Sequence, residues 1–267
     1  MTLTTDIADF TRRDLTFGGK TKPVLTIGAT GPAIIVIHEV FGFAPTLARF
    51  CRWLVEAGFR VYAPILLGTP DATNAEKITQ RRLLGLCVSR EFNLFRSGKS
   101  SPIVEWLKPL AHQAHAECGG PGVGVIGMCL TGGFSLSMAV DPVVLAPVLS
   151  QPGMPVTRAA GLDISPADLA KVKARTRDEG LEIQGYRFDG DPLSKEEKFT
   201  TLRREFGDAF TGIEIPASAG NPNSPLARAG RPPHSVFTGD LIDAEGEITK
   251  SAVMEVIGFF TRALMRG

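Results

Sequence analysis

The chain has 267 residues, 43% of them hydrophobic, which suits one large α/β domain or two small ones and is enough for a sizeable core. A formal net charge of +1 without a long run of like charge argues against nucleic acid or an anionic membrane surface as a partner. No apolar segment approaches the ~20 residues that span a bilayer, and four cysteines without a C-x-x-C pair lead us to expect a reducing, cytoplasmic location.

Apolar β-branched runs predict strands along the chain, and helical periodicity predicts the helices between them. In chain order we predict strands at Ala33–His38 and Arg60–Ala63 around a helix at Leu47–Gly58, strands at Val123–Met128 and Val143–Val148, a helix at Leu162–Glu179, a strand at Leu181–Arg187, a helix at Glu196–Phe206, a strand at Gly212–Pro216 and a helix at Ala252–Leu264. This alternation predicts a mostly parallel central sheet with helices on both faces. We interpret Asn221–Pro233 as a long loop inside it, so that residues 1–267 form a single α/β domain.

The segment Gly124–Gly133, GVIGMCLTGG, places a cysteine at a sharp turn between a predicted strand and a helix. This layout is typical of a nucleophile elbow, in which glycine leaves room for the turn. Backbone N–H groups at the start of the helix favour a thiolate and can bind an oxyanion. Thr131 stands where the pattern expects a second small residue, and glycine follows it. We interpret Cys129 as a nucleophile; the alternative is a small buried hydrophobe.

A nucleophilic cysteine needs a base and an orienting carboxylate. Of the four histidines only His234 follows Cys129, which is the chain order of nucleophile, acid and histidine in α/β-hydrolases. The acid is expected just past the intervening strand, where Asp189 and Asp191 stand. We prefer Asp191, which precedes a proline turn, and keep Asp189 as the alternative. A papain-like arrangement fits poorly because so much α/β structure precedes the cysteine.

Four motifs of the chain resemble those of the dienelactone hydrolase family of α/β-hydrolases. They are His38-Glu-Val-Phe-Gly42, Gly127-Met-Cys-Leu-Thr-Gly-Gly133, Gly190-Asp-Pro-Leu193 and Pro233-His-Ser235. The resemblance extends over roughly residues 30–265. It implies an α/β-hydrolase fold and hydrolysis of a lactone or small ester through a thioester, with no metal or organic cofactor.

The same resemblance implies roles for individual residues. It implies a triad of Cys129, His234 and Asp191 and an oxyanion hole made by the backbone N–H groups of Val40 and Leu130. It also implies that the Glu39 carboxylate contacts the resting thiol and helps to take its proton once substrate binds. The sequence supports Glu39 independently, because a carboxylate directly after a buried strand is costly to bury and strand ends bind ligands in α/β sheets. The alternative is a capping or surface glutamate.

Substrate contacts are predicted from a cationic segment and one aromatic side chain. Arg81, Arg82 and Arg90 lie in the segment expected to cover the site, and Arg81 or Arg90 could grip a substrate carboxylate, which suits the anionic substrates of the family. A solvated helix face is the alternative. Phe41 is assigned to substrate binding, with a core position as its alternative. Because residues 64–118 and 221–233 are long, we expect them to reshape the pocket, so that the substrate differs from dienelactone.

Two functions from other classes stay open at this stage. The chain could be a catalytically inactive ligand-binding protein on the same fold, or Cys129 could be a redox-sensing thiol, although no resolving cysteine is evident. His112 and His115 could contribute to a zinc site, but no matching second ligand pair follows, and we favour a surface helix. We therefore expect a small-molecule ester or lactone as the partner; whether the chain forms a homo-oligomer is open.

Overall fold

The computed structural model describes residues 7–68, 100–155 and 158–265. The strands are β1 Thr11–Phe17, β2 Lys20–Ile27, β3 Ala33–Ile37, β4 Arg60–Pro64, β5 Val123–Met128, β6 Val144–Ser150, β7 Ile183–Phe188 and β8 Phe210–Ile215. Within the described ranges they form one sheet in the order β1-β2-β4-β3-β5-β6-β7-β8. From β4 to β8 all neighbours are parallel, whereas β2 is antiparallel to β1 and to β4. The predicted mostly parallel α/β sheet is confirmed.

Helices cover both faces of this sheet, as predicted. They are α1 Pro45–Glu56, α2 Val104–Cys118, α3 Phe134–Met138, α4 Pro166–Asp178, α5 Glu196–Phe206, α6 Pro225–Arg228 and α7 Ile248–Leu264. The buried faces of α1 and α7 pack in one apolar layer with Ile34 and Val36 of β3. The buried faces of α2, α3, α4 and α5 pack in the other layer with Ile35 and Ile37. Successive side chains of β3 point to opposite faces, and because both faces are covered the strand is apolar throughout.

The N-terminal hairpin of β1 and β2 was not predicted. Residues of β1 alternate between exposed and half-buried positions and several are charged, because β1 is an edge strand of the sheet. Gly18 and Gly19 connect the two strands with φ of +56° and +74°, which is the conformation of a two-residue hairpin turn. The hairpin could have been predicted from the Gly18-Gly19 pair, which stands between two segments of alternating polarity.

Two of the differences between the predicted and the observed elements have local reasons. The helix α4 begins at Pro166 and not at Leu162, because the Ser165 hydroxyl accepts a hydrogen bond from the Asp168 N–H at 3.1 Å and caps it there. The predicted loop at 221–233 contains α6, which is capped in the same way by Ser224.

Among the described residues, no helix combines the length and the apolar character required to cross a membrane.

Candidate active site

Cys129 lies at a strained turn directly after β5. It opens a 3-10 turn over Cys129–Thr131 with φ of +56°, a value that is uncommon for any residue except glycine. The glycines on either side of Cys129 are required because a side chain at these positions would collide with the backbone. A Cβ on Gly127 would lie 2.1 Å from the Thr131 carbonyl oxygen, and one on Gly132 would lie 2.6 Å from the Pro152 Cα. The strand, sharp turn and following α3 therefore form the elbow geometry that the glycines suggested.

Thr131, the residue that departs from the usual elbow pattern, joins the elbow to the end of β3. Its fully buried hydroxyl accepts a hydrogen bond from the Met128 N–H at 3.0 Å. The same hydroxyl lies 3.0 Å from the Ile37 carbonyl oxygen and 3.1 Å from that of His38. A glycine at this position would leave these buried backbone groups without that partner. The departure thus has a structural reason.

His234 and Asp191 meet in the interior although 43 positions separate them in the chain. The distance from His234 Nδ1 to Asp191 Oδ2 is 2.7 Å, and both side chains are buried. The other oxygen of Asp191 accepts a hydrogen bond from the Leu193 N–H at 2.9 Å. Asp189, the alternative acid, instead accepts a hydrogen bond from the Ala217 N–H at 2.5 Å. Of the two aspartates left open by the sequence, the structure brings Asp191 to the histidine.

The second ring nitrogen of His234 faces the cysteine. Nε2 is buried and has no partner of ordinary hydrogen-bond geometry in the described part of the chain, yet the Cys129 sulfur is close enough to act on the ring. Burial by itself lowers the pKa of His234, but the interactions of the ring with Cys129 and with the Asp191 carboxylate outweigh it and hold the pKa well above its usual range. Catalytic hydrogen bonds are often long or poorly aligned in an active site that holds no substrate.

Glu39 is buried beside this histidine and is held by three hydrogen-bond donors. Oε1 accepts from Gln151 Nε2 at 2.7 Å and from the Thr238 hydroxyl at 2.8 Å, and Oε2 accepts from the Ser235 hydroxyl at 2.9 Å. Burial raises the pKa of Glu39, while His234 and the donors oppose the rise. The hydrogen bonds of the carboxylate therefore go to these donors and not to the thiol.

Gln151, which the sequence analysis missed, supports Glu39 from the end of β6. Its φ of +30° is the other positive value of a non-glycine residue in the described ranges. Its N–H donates to the Tyr186 carbonyl at 2.6 Å, and its side-chain oxygen accepts from the Ser150 hydroxyl. These contacts hold the strained residue in place. The available signal was a polar pair, Ser150-Gln151, ending an apolar strand.

Asp240 was also missed, and it fixes the backbone of the histidine loop. Its Oδ2 accepts hydrogen bonds from the N–H groups of His234 and Ser235, both at 2.8 Å. The side chain is 1% exposed, and Oδ1 has no hydrogen-bond partner among the residues that the structure describes. Asp240 could have been recognised from the sequence, because an aspartate shortly after a loop histidine can accept hydrogen bonds from backbone N–H groups of that loop.

The two expected oxyanion donors lie at the ends of neighbouring strands. Ile37 of β3 is paired with Gly127 of β5, and Val40 and Leu130 each stand three residues further along. Leu130 is in the first turn of the 3-10 helix, where N–H groups have no partner within the helix. Val40 lies in a turn that the Gly42 N–H closes on the Glu39 carbonyl at 3.0 Å.

The predicted substrate contacts are only partly covered by the structure. Phe41 lines a cavity of about 190 Å³ beside Glu39. Arg81 and Arg90 lie outside the described residues, as does Arg82.

The two histidines of α2 each bond to a separate neighbour. His112 Nε2 lies 2.8 Å from Asp141 Oδ2, and His115 Nε2 lies 2.9 Å from the Gly120 carbonyl oxygen.

Comparison with known proteins identifies the family of the chain and supports its fold. Residues 22–157, just over half of the chain, match the sequence model of the dienelactone hydrolase family. A dienelactone hydrolase-like promiscuous phosphotriesterase from metagenomic libraries has a similar structure, with a TM-score of 0.64 and 17% identity over 96% of this chain and 98% of that one. A dienelactone hydrolase from Anabaena variabilis gives 0.59 and 13% over 96% and 99% of the two chains.

An α/β serine hydrolase without a lid from Xanthomonas campestris is also similar, with a TM-score of 0.56 and 9% identity over 97% of each chain. At these identities the three structures speak for a shared fold. Among curated proteins, none matches the chain.

Proposed function

The chain belongs to the dienelactone hydrolase family and is a hydrolase of the α/β type, and from this premise we propose that it cleaves a lactone or small ester through a thioester on Cys129. The observation that carries the proposal is the buried His234 ring, which has Asp191 on one nitrogen and the Cys129 sulfur near the other. This is the arrangement of nucleophile, base and orienting acid that covalent acyl transfer needs.

The first half of the reaction forms the acyl-enzyme. His234 Nε2 takes the thiol proton, and Cys129 Sγ attacks the substrate carbonyl carbon, so that a C–S bond forms and the carbonyl oxygen becomes an oxyanion. The N–H groups of Val40 and Leu130 stabilise that charge. The intermediate then collapses with cleavage of the C–O bond. The imidazolium gives its proton to the leaving oxygen, while Asp191 keeps the ring oriented.

The second half releases the acid and restores the thiol. His234 takes a proton from water, the resulting hydroxide oxygen attacks the thioester carbon, and the C–S bond breaks. Sulfur leaves as the thiolate and recovers its proton from the histidine. Glu39 can reach the thiol only after it exchanges one of its three donors. We therefore assign Glu39 a relay role: once substrate is bound, it takes the thiol proton and passes it to His234 Nε2, so that a single proton leaves the sulfur.

The test is hydrolysis by the wild-type protein and by Cys129→Ala on an activated acetyl ester, a dienelactone and simple lactones. Intact-protein mass is recorded in the first seconds of each reaction. We expect a transient acyl adduct in the wild type, and loss of both the adduct and the rate in the variant. Cys118→Ala, at a half-buried cysteine that contacts Tyr62, is the matched control and should keep both. Equal rates and masses for wild type and Cys129→Ala would show that Cys129 is not the nucleophile.

A further inference from the structure

His38 is a buried polar residue to which the proposed mechanism gives no role. It directly follows β3 and is 1% exposed. Its Nε2 accepts hydrogen bonds from the N–H groups of Leu66 at 2.9 Å and Leu67 at 3.3 Å. Because Nε2 is the acceptor, the proton of the neutral ring is on Nδ1. The ring is therefore anchored at one nitrogen and offers a single donor at the other.

That donor meets the carbonyl group of the next residue in the chain. His38 Nδ1 lies 2.6 Å from the Glu39 carbonyl oxygen, and the Gly42 N–H donates to the same oxygen at 3.0 Å. This carbonyl belongs to the peptide unit whose other end is the N–H of Val40. The two donors together fix the direction of that peptide unit.

The direction of the carbonyl group decides where the Val40 N–H points. A trans peptide unit is planar, so its C=O and its N–H point in opposite directions. Hydrogen bonds to the carbonyl oxygen also polarise the unit and strengthen its N–H as a donor. Within the described ranges no backbone carbonyl accepts from the Val40 N–H. No carbonyl of those ranges therefore competes with a substrate oxygen for this donor.

The imidazole ring ties this peptide unit to a second strand end. Gly42, the other donor, lies in the same turn as Val40, so its hydrogen bond closes the turn without fixing it relative to the sheet. Leu66 and Leu67 follow β4, which is the parallel neighbour of β3. The ring of His38 thus connects the turn of Val40 to the end of the neighbouring strand.

We propose that His38 is a positioning residue of the oxyanion hole: its Nδ1–H holds the Glu39 carbonyl oxygen so that the Val40 N–H points at the oxyanion of the tetrahedral intermediate. The inference rests on the proposed hydrolase function, because it deepens the role of the Val40 N–H. His38 acts through the peptide unit, and its effect appears where the oxyanion forms. Both half-reactions pass through an oxyanion, so the loss of His38 should lower kcat and change KM little.

The test compares His38→Met with His38→Gln in the full chain, with para-nitrophenyl acetate as substrate. The two side chains have the same length, but only the glutamine amide offers a donor and an acceptor, as the ring does. Removal of an oxyanion donor lowers kcat by about 10²-fold to 10³-fold, so a misdirected donor should cost at least about tenfold in His38→Met, with KM within about twofold. His38→Gln should keep both constants within about threefold of wild type.

The matched control is a buried hydroxyl in the N-terminal hairpin. Thr26→Val removes a hydrogen bond to the Thr11 carbonyl oxygen at 3.3 Å, at a residue that is 5% exposed. It should leave kcat and KM as in wild type. A loss of kcat in Thr26→Val as large as in His38→Met would overturn the positioning role, because any loss of a buried hydrogen bond would then have the same effect.

A second readout reports the oxyanion hole without turnover. Acetaldehyde is the probe: the Cys129 sulfur adds to its carbonyl carbon, the carbonyl electron pair moves to the oxygen, and the thiol proton passes through His234 to that oxygen. The adduct resembles the tetrahedral intermediate and places its oxygen in the hole. The inhibition constant should rise at least about tenfold in His38→Met and stay within about threefold of wild type in His38→Gln.

A further variant separates the two nitrogens of the ring. Counted in bonds from Cα, the amide nitrogen of His38→Asn takes the place of Nδ1, and nothing replaces Nε2. This variant should therefore be less stable in urea yet keep the wild-type inhibition constant within about threefold. It also decides the question if His38→Met does not fold.

The outcomes distinguish this inference from the proposed function. An unchanged kcat and inhibition constant in His38→Met would overturn the positioning role alone, as would a folded His38→Gln or His38→Asn protein that is as impaired as His38→Met. A wild-type protein that neither hydrolyses the ester nor forms an acyl adduct would overturn the hydrolase proposal, and this inference with it.

Discussion

His38 should make the protein less stable as the pH falls below 6.5, and the size of the effect follows from its contacts. The ring is 1% exposed, and Nε2 accepts hydrogen bonds from the N–H groups of Leu66 at 2.9 Å and Leu67 at 3.3 Å. Nδ1 must then carry the proton, which it donates to the Glu39 carbonyl oxygen at 2.6 Å. A second proton on the ring would turn the accepting nitrogen into a donor facing two other donors.

Burial lowers the pKa of His38 from its ordinary 6.5 to about 4. Above pH 6.5 the ring is neutral in both the folded and the unfolded chain, so the full stability is present. Between pH 6.5 and about 4 the unfolded chain takes up a proton and the folded chain does not, so the free energy of unfolding falls. The gap between the two pKa values corresponds to about 3 kcal/mol, of which about 2 kcal/mol is lost by pH 5.

The assay is urea unfolding of wild type and His38→Gln at pH 7.5 and at pH 5, followed by tryptophan fluorescence. The wild type must be compared with the variant because Asp163 also makes the stability depend on pH. Burial raises the pKa of Asp163 to about 7, so this group increases the free energy of unfolding as the pH falls below 7, which is the opposite of the effect of His38. We expect the stability advantage of wild type over His38→Gln to shrink by about 2 kcal/mol at pH 5. His112→Gln, at an exposed histidine, is the matched control. An advantage that stays constant between the two pH values would refute the reasoning.

Three further predictions concern the elbow and the triad. Asp191→Asn should lower kcat/KM for the preferred ester by about 10³-fold to 10⁴-fold because the His234 ring loses its orienting carboxylate; Asp189→Asn should leave kcat/KM within about twofold because its bond lies elsewhere. Thr131→Val should lower the free energy of unfolding by about 2 kcal/mol, measured in urea, because it leaves buried backbone groups unpaired. Gly127→Ala should cost at least about 3 kcal/mol by the same measurement, since its Cβ would lie 2.1 Å from the Thr131 carbonyl oxygen.

Each of these predictions has an outcome that contradicts it. If Asp189→Asn loses as much activity as Asp191→Asn, the assignment of the acid fails. Thr131→Ser keeps the hydroxyl and loses only the methyl group, so a valine variant that is at least as stable as the serine variant would show that the hydrogen bonds do not stabilise the protein as argued. Gly258→Ala, where the nearest atom is the end of a flexible arginine at 3.5 Å, is the control for glycine and should be tolerated. A Gly127→Ala protein as stable as Gly258→Ala would refute the steric argument.

The local arrangement around Cys129 could be predicted from the sequence because it depends on neighbours in the chain. An apolar β-branched run, a glycine two residues before the cysteine and two glycines soon after it together predict a strand, a tight turn and a helix, and the structure has all three. The choice of His234 needed only chain order, since it is the single histidine after Cys129. Local backbone preference and order along the chain are properties that a sequence carries by itself.

The partners of the buried polar groups were decided only by tertiary structure. Glu39 could be recognised as unusual, but its donors Gln151 and Thr238 are 112 and 199 positions away. The proline turn favoured Asp191 over Asp189 in the sequence, but only the packing of the strand ends shows that Asp191 meets the histidine and Asp189 does not. A hydrogen bond inside the protein depends on distance and direction in space, and parallel strands bring together chain segments that no local pattern connects.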